Sequence, residues 1–466
     1  MSEIKLSTKK DIKDLKIFFS NLIRKMNTNL PYSDILLIKK SALVITKDKK
    51  TISIDNTADF GLKIRVFDGE MFHERFTSKP DKETINSLAK ELSALPTKKR
   101  IKIEKGKIIN KNFYSSKKND PSKLSLKIKV DTCIDVFKRL MKKSKRIINA
   151  RIIYKEKIDE RIFVSEKKKL YQKVTGCNFI ILPIIITREG ESRYHYHARF
   201  AQGFGATRFT NTQVNNLVKL MHKIIKAKKI KPGKYDCILH PVVTGLLAHE
   251  SFGHGMEADT LYKGRALASK YLNKKIAPSY VTIADSPTHK NTNGSFFFDD
   301  EGCLADETVM LKCGKVNQPL TDLYSAIKMN IPKTANGRCE SYDHKAYARM
   351  TATYFKPGKT PKSKMFAGVK NGIYIFGKGG GMEDPKGWGV QLHGMLGQEI
   401  KNGKLTNKLY YGVGITGYLP EILNNIKAAS TNFEIPGTGF CGKGHKEWVN
   451  VAEGGCYLLI KNLELA

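Results

Sequence analysis

The run from Leu246 to Asp259, LLAHESFGHGMEAD, puts two imidazoles and three carboxylates within eleven residues, His249 to Asp259. A His-Glu pair followed by a second His is how many hydrolases hold a catalytic zinc. The imidazoles bind the ion, and the Glu beside the first His takes a proton from the water that the ion holds. The familiar spacing is HExxH, with the histidines four apart on one helical face; here His249 and His254 are five apart. On a straight α-helix five residues turn about 500°, so the two rings would diverge by about 140° and could not share an ion. A π-turn, with its i→i+5 bond, returns them to one side. Gly253 and Gly255 flank His254 and would relax the backbone there or end the helix. A metal shared by this pair therefore predicts a π-type turn, or a helix end, between Glu250 and Gly255. A chance His-Glu-His on a packed helix predicts rings on different faces.

The stretch HESFGHGMEAD resembles the signature of the TldD/PmbA family, the so-called modulators of DNA gyrase. Within that family it is closest in form to the TldD-type metallopeptidases, whose pattern reads roughly HEAxGHxxEGD. The resemblance continues, in the expected order, through Phe298-Asp299-Asp300-Glu301-Gly302, Asn336-Gly337-Arg338-Cys339-Glu340-Ser341, Arg349-Met350-Thr351-Ala352-Thr353, Gly379-Gly380-Gly381 and Gly439-Phe440-Cys441-Gly442-Lys443. It covers nearly all of residues 235–455, and an earlier trace remains in Gly61-Leu62-Lys63-Ile64-Arg65-Val66. The resemblance implies a zinc metallopeptidase acting on unfolded peptides or proteins. His249, His254 and Cys441 would be the Zn²⁺ ligands and Glu250 the general base. Cys441 lies in a glycine-dense loop where a side chain can approach a metal; His445, four residues on, is the rival third ligand. Glu257 and Asp259 are either ligands or supports for a zinc-bound imidazole. Arg338, Glu340 and Arg349 either pin the substrate or brace a sheet. The resemblance also implies a dimer with an enclosed chamber, formed with itself or with a PmbA/TldE-like subunit that lacks the zinc motif. Two alternatives remain: a non-catalytic partner subunit of such a complex, and a basic nucleic-acid-associated protein.

The second alternative comes from charge. The 466 residues carry a formal net charge of +38. The excess is mostly Lys rather than the base-reading Arg, and it is spread along the chain without interleaved aromatics. A nucleic acid is therefore not the expected partner. Eight cysteines without a CxxC pair signal neither a zinc ribbon nor a thioredoxin motif, and fit buried free thiols in a reducing compartment. The polar opening Met1–Lys10 and a longest apolar run of eight residues, Phe179–Ile186, point to a cytoplasmic chain with no membrane partner.

The elements that must position these residues fall into two groups. An α+β domain is expected over residues 1–229 and a glycine-rich, strand-rich metallopeptidase domain over 230–466, with a large sheet curled towards a barrel. In the first, an amphipathic helix within residues 1–30 precedes short strands at Asp34–Lys40, Ala42–Lys47, Thr51–Ile54 and Gly61–Phe67. A helix follows at Thr84–Leu95, an irregular segment at Lys98–Lys123, and a helix at Val130–Ser144. Strands over Ile147–Val174 and Phe179–Phe200 lead to a helix at Thr210–Lys229. His195 and His197 alternate on one strand, as a solvent-facing or partner-facing pair. In the second domain a strand Tyr235–Val243 leads into the His249 helix. Strands are then expected at Tyr280–Ala284, Thr308–Lys312, Ala348–Tyr354, Gly372–Phe376, Gly387–Leu396 and Leu409–Val413. Gly412–Gly417 matches GxGxxG, but no βαβ unit surrounds it, so a nucleotide site is not expected.

Overall fold

The computed structural model describes residues 4, 6–99, 103, 107–116, 120–382, 384–443 and 447–466. Among these, the first half builds an eight-stranded sheet. Its main path runs Phe72–Thr77, Ile52–Phe67, Tyr32–Lys47, Ile147–Ser165, Lys168–Ile186, Ile109–Tyr114. Two short strands, Ser192–Tyr194 and His197–Ala201, also pair with Lys168–Ile186. The four short strands expected before residue 68 are two long ones, paired without interruption from Tyr32↔Phe67 to Lys47↔Ile52. The polar break at Lys39-Lys40-Ser41 changes what the strand faces without ending it.

Period-2 alternation sets the layers. Ile35, Leu37, Leu62, Ile64, Ile162 and Val164 point to one face, where the helices Lys9–Met26 and Lys82–Ser93 cover them. Farther along the same face, Ile45, Ile152, Tyr154 and Phe179 lie beneath the helices Leu126–Lys143 and Asn211–Ile225. Side-chain caps start these helices. Thr8 with Asp11, and Thr210 with Gln213, form reciprocal capping boxes. The opposite face carries Leu36, Ile38, Phe163 and Leu170, packed on Phe298, Cys339 and Ala346 of the second half. It also carries Lys63, Arg65 and Gln172, all buried.

The second half is an eleven-stranded mixed sheet among the described residues, so the molecule is an α+β protein. Its long last strand, Ala452–Leu465, runs parallel to Ala352–Phe355 and antiparallel to Gly233–Leu239. From Gly233–Leu239 the pairing passes through Asn371–Phe376, Gly389–Lys401 and Lys404–Tyr418 and returns to Ala452–Leu465. Five strands thus close on themselves, which is the curl expected from the sequence.

Two local expectations are corrected, and one is placed. The strand from Gly233 stops at Leu239 rather than Val243, because His240 and Pro241 start a helix: His240 Nδ1 accepts the Val242 N–H at 3.2 Å and Pro241 takes the first turn. The segment taken as irregular contains the strand Ile109–Tyr114, parallel to Lys168–Lys173, a long-range pairing with no local signature. Gly412–Gly417 lies inside the antiparallel strand Lys404–Tyr418. No helix among the described residues is long and apolar enough to cross a membrane.

Candidate metal centre

Strand Gly233–Leu239 delivers the chain to helix Pro241–Leu246, which continues as a π-helical stretch, Leu247–Gly253. The helix can lie directly on the last strand because residue 245 is glycine: a Cβ there would meet Gly454 N at 2.1 Å. The His254 N–H donates to the His249 carbonyl, an i→i+5 bond. That widened turn brings the two imidazoles to one side, with ring centroids 5.1 Å apart and planes at 89°. Cys441 reaches them from 187 residues away, its Sγ 3.4 Å from His254 Nε2. Donor atoms of His249, His254 and Cys441 all lie within 4.8 Å of one another, and all three residues are buried.

Charge inside this pocket is strongly coupled. Burial alone would push the Cys441 thiol up, but the adjacent His249 and His254 bring it down to about 5. Burial lowers His249, and the Cys441 thiolate together with Glu453 and Glu250 outweighs it, raising the imidazole to about 9. The protons that the two rings retain are those a cation would displace on binding. His249 Nδ1 is buried with no hydrogen-bond partner among the described residues. A thiolate and two imidazoles form a donor set suited to zinc. Glu250 sits at the edge, Oε2 3.9 Å from His254 Nε2, and its carboxyl is raised because burial outweighs the nearby imidazoles.

A layer of ion pairs fixes the ligands. His254 Nδ1 lies 3.3 Å from Glu257 Oε2, which receives Lys443 Nζ at 2.9 Å. Lys443 also reaches Asp259 Oδ1 at 2.6 Å. Glu257 and Asp259 therefore stand behind the centre. Cys441 is held by pairing of Phe440–Cys441 with Val449–Asn450 and by Arg349, whose Nη2 donates to the Cys441 carbonyl at 2.9 Å. Arg338 donates to the Met350 and Asn450 carbonyls at 2.6 and 2.8 Å, and Glu340 accepts the Trp448 N–H at 3.0 Å. These three motif residues thus tie the Cys441 hairpin to its surroundings. His445 lies outside the described residues.

The sequence did not single out Glu453. It is buried, 3.2 Å from Lys378 Nζ, and although burial opposes ionisation, Lys378 and His249 hold its carboxyl below the usual range. The only signal is an acidic residue inside the apolar and glycine stretch Ala452–Ile460. Gly381, in the glycine motif, comes up against Glu250: a Cβ there would lie 2.9 Å from Glu250 Cγ. A further group, Glu340, His344 and Glu447, also clusters within 4.8 Å, but it is half exposed and His344 Nδ1 is already 2.9 Å from Asp343. His195 and His197 are not a solvent-facing pair. The strand ends at Tyr194 and resumes at His197, and His195 is buried and lowered to about 4 by desolvation.

Residues 232–466 match the family described as the PmbA/TldA metallopeptidase C-terminal domain. A metalloprotease of Methanocaldococcus jannaschii is 27% identical over 91% of this chain and 94% of its own length. A zinc metalloprotease TldD homolog of Saccharolobus solfataricus is 29% identical over 91% of this chain and 93% of its own. The crystal structure of TldE from Thermococcus kodakarensis shares the fold, with a TM-score of 0.75 at 14% identity, over 96% of this chain and all of that one.

Proposed function

The chain belongs to the PmbA/TldD metallopeptidase family, and on that premise we propose that it is a zinc-dependent peptidase acting on unfolded peptides. His249, His254 and Cys441 hold Zn²⁺, and the π-turn that faces the two imidazoles towards Cys441 is the observation that carries the reading. When bound, zinc supplies Lewis acidity towards a water molecule and the scissile carbonyl. Glu250 accepts the proton of the attacking water at its carboxylate and returns it to the leaving amine nitrogen. Its raised pKa and position at the open edge of the centre support that role. Glu257 keeps His254 oriented through Nδ1, and Arg349 keeps the Cys441 hairpin seated. The proposal includes a division into units at residues 229 and 230, supported by the family match beginning at 232. It also includes assembly with a second copy or a PmbA/TldE-like subunit, supported by the shared fold of TldE.

Metal analysis paired with a peptidase assay tests the reading. Purified protein should carry about one zinc per chain, and His249→Ala, His254→Ala and Cys441→Ala should each lose most of it. Glu250→Gln should keep the zinc and lose peptidase activity by about two orders of magnitude or more. Wild-type cleavage by Glu250→Gln, or full zinc retention in Cys441→Ala, would overturn the assignment.

A further inference from the structure

A cavity of about 280 Å³ opens between the polar face of the first sheet and the Cys441 hairpin, whose Phe440, Val449 and Asn450 form part of its wall. That volume is below the usual range for a cofactor pocket and suits a side chain or chain end. Its charges are unevenly matched. Arg161 pairs with Asp159 at 2.7 Å and also with Asp300, which occupies both carboxylates, and Lys40, Asp59 and Glu340 also line the cavity. Beside them stand Lys155, Lys157 and Arg338. Among the described residues none of the three has a carboxylate within ion-pair distance. Lys155 Nζ lies 4.5 Å from the centre of the Phe440 ring. Lys157 Nζ donates to the Asn293 carbonyl at 3.0 Å, and Arg338 donates only to main-chain carbonyls. Lys155 and Lys157 are alternate residues of one strand, so both point to the cavity face.

Three cations gathered in a partly desolvated cavity with no carboxylate in ion-pair contact are costly unless an anion joins them. The titration behaviour agrees: burial, opposed by Asp159 and reinforced by Arg338 and Lys155, brings Lys157 down to about 7. Phe440, next to Cys441 in the chain, and Val449, its strand partner, form the cavity wall, so the cavity borders the hairpin that carries Cys441.

We propose that this cavity is a substrate subsite for a carboxylate, held by Lys155, Lys157 and Arg338. The inference rests on the peptidase reading and narrows it to peptides that present a carboxylate near the scissile bond. The carboxylate is either the free C-terminus of the peptide or an Asp or Glu side chain.

Three fluorescent peptides of one length and otherwise one sequence separate these sources. One has an amidated C-terminus and no acidic residue, the second has a free C-terminus, and the third is amidated with one internal Glu. Binding is read by anisotropy and cleavage by chromatography, with the zinc-loaded wild type and with Lys155→Gln/Lys157→Gln. Thermal unfolding checks that the variant is folded, and Lys155→Gln alone serves if the pair is not. The wild type should bind one carboxylate peptide at least about tenfold more tightly than the carboxylate-free one, as befits a charged hydrogen bond. The ratio should collapse towards one in the variant. Whichever peptide shows the preference identifies the source. Equal binding of all three peptides by the wild type, or a preference that survives the substitutions, overturns the proposal. If carboxylate-dependent binding is present but nothing is cleaved, the subsite stands and the peptidase reading falls.

Discussion

Lys443 illustrates how much one side chain can carry at this centre. It neutralises Glu257 and Asp259 together, and Glu257 is almost wholly buried. Lys443→Met would leave buried Asp259 with no cation in contact among the described residues and Glu257 with only Arg349, 3.7 Å away, and His254. It should cost about 3 kcal/mol of stability and weaken zinc retention, as chemical denaturation and metal analysis would show. His195 gives a pH-dependent counterpart. Its imidazole is held near 4 in the folded protein by burial. Below pH 6.5 the unfolded chain takes up a proton that the folded chain refuses until about pH 4. Stability is therefore intact above that window and falls as the pH drops through it. His195→Asn should flatten the fall between urea midpoints measured at pH 7 and pH 5. The residues of the HExxxH stretch were legible because their partners lie within one turn. Lys443 and Glu453 were not, because each takes its meaning from side chains that only the fold brings near.

Among the elements, the π-turn was the feature most directly readable, since a five-residue spacing leaves few other ways for two rings to meet. It is held in place by the contact at Gly245. Gly245→Ala would drive a methyl into the Gly454 backbone and lift the helix from strand Ala452–Leu465. The expected loss is about 1–3 kcal/mol, with zinc affinity reduced although no ligand has been touched. A Gly245→Ala protein with wild-type Tm and zinc content would show that the helix position is not what aligns the histidines. The first sheet was harder to read. Lys63, Arg65 and Gln172 alternate with apolar residues as if they faced solvent, yet they are buried under the second half. Alternation reports which residues share a face and leaves open what covers it.

On the scale of the molecule, Arg65 fastens the first sheet to the second half. Its guanidinium reaches Asp34 on the neighbouring strand and Glu301 in the second half, each at 2.6 Å and all three buried. Arg65→Met should destabilise the protein by about 3–5 kcal/mol, because buried Asp34 loses its cation and Glu301 keeps, among the described residues, only Lys333, 3.4 Å away. Adding Glu301→Gln should recover part of the Tm; no recovery would mean that the pair across the halves is not coupled. The family trace at Gly61–Val66 already marked this arginine, but nothing local to it disclosed a partner more than two hundred residues on. The closed strand ring has a different consequence. Gly233 and Leu465 are direct partners across strands Gly233–Leu239 and Ala452–Leu465, so the second half enters and leaves its own barrel at the same point. A segment whose ends meet can be transplanted into a host loop, or given a new start by joining those ends with a short linker, without stretching any strand. The ends of residues 233–465 therefore lie together, and the loops on the rim of the strand ring are where a permutant of that segment would be opened.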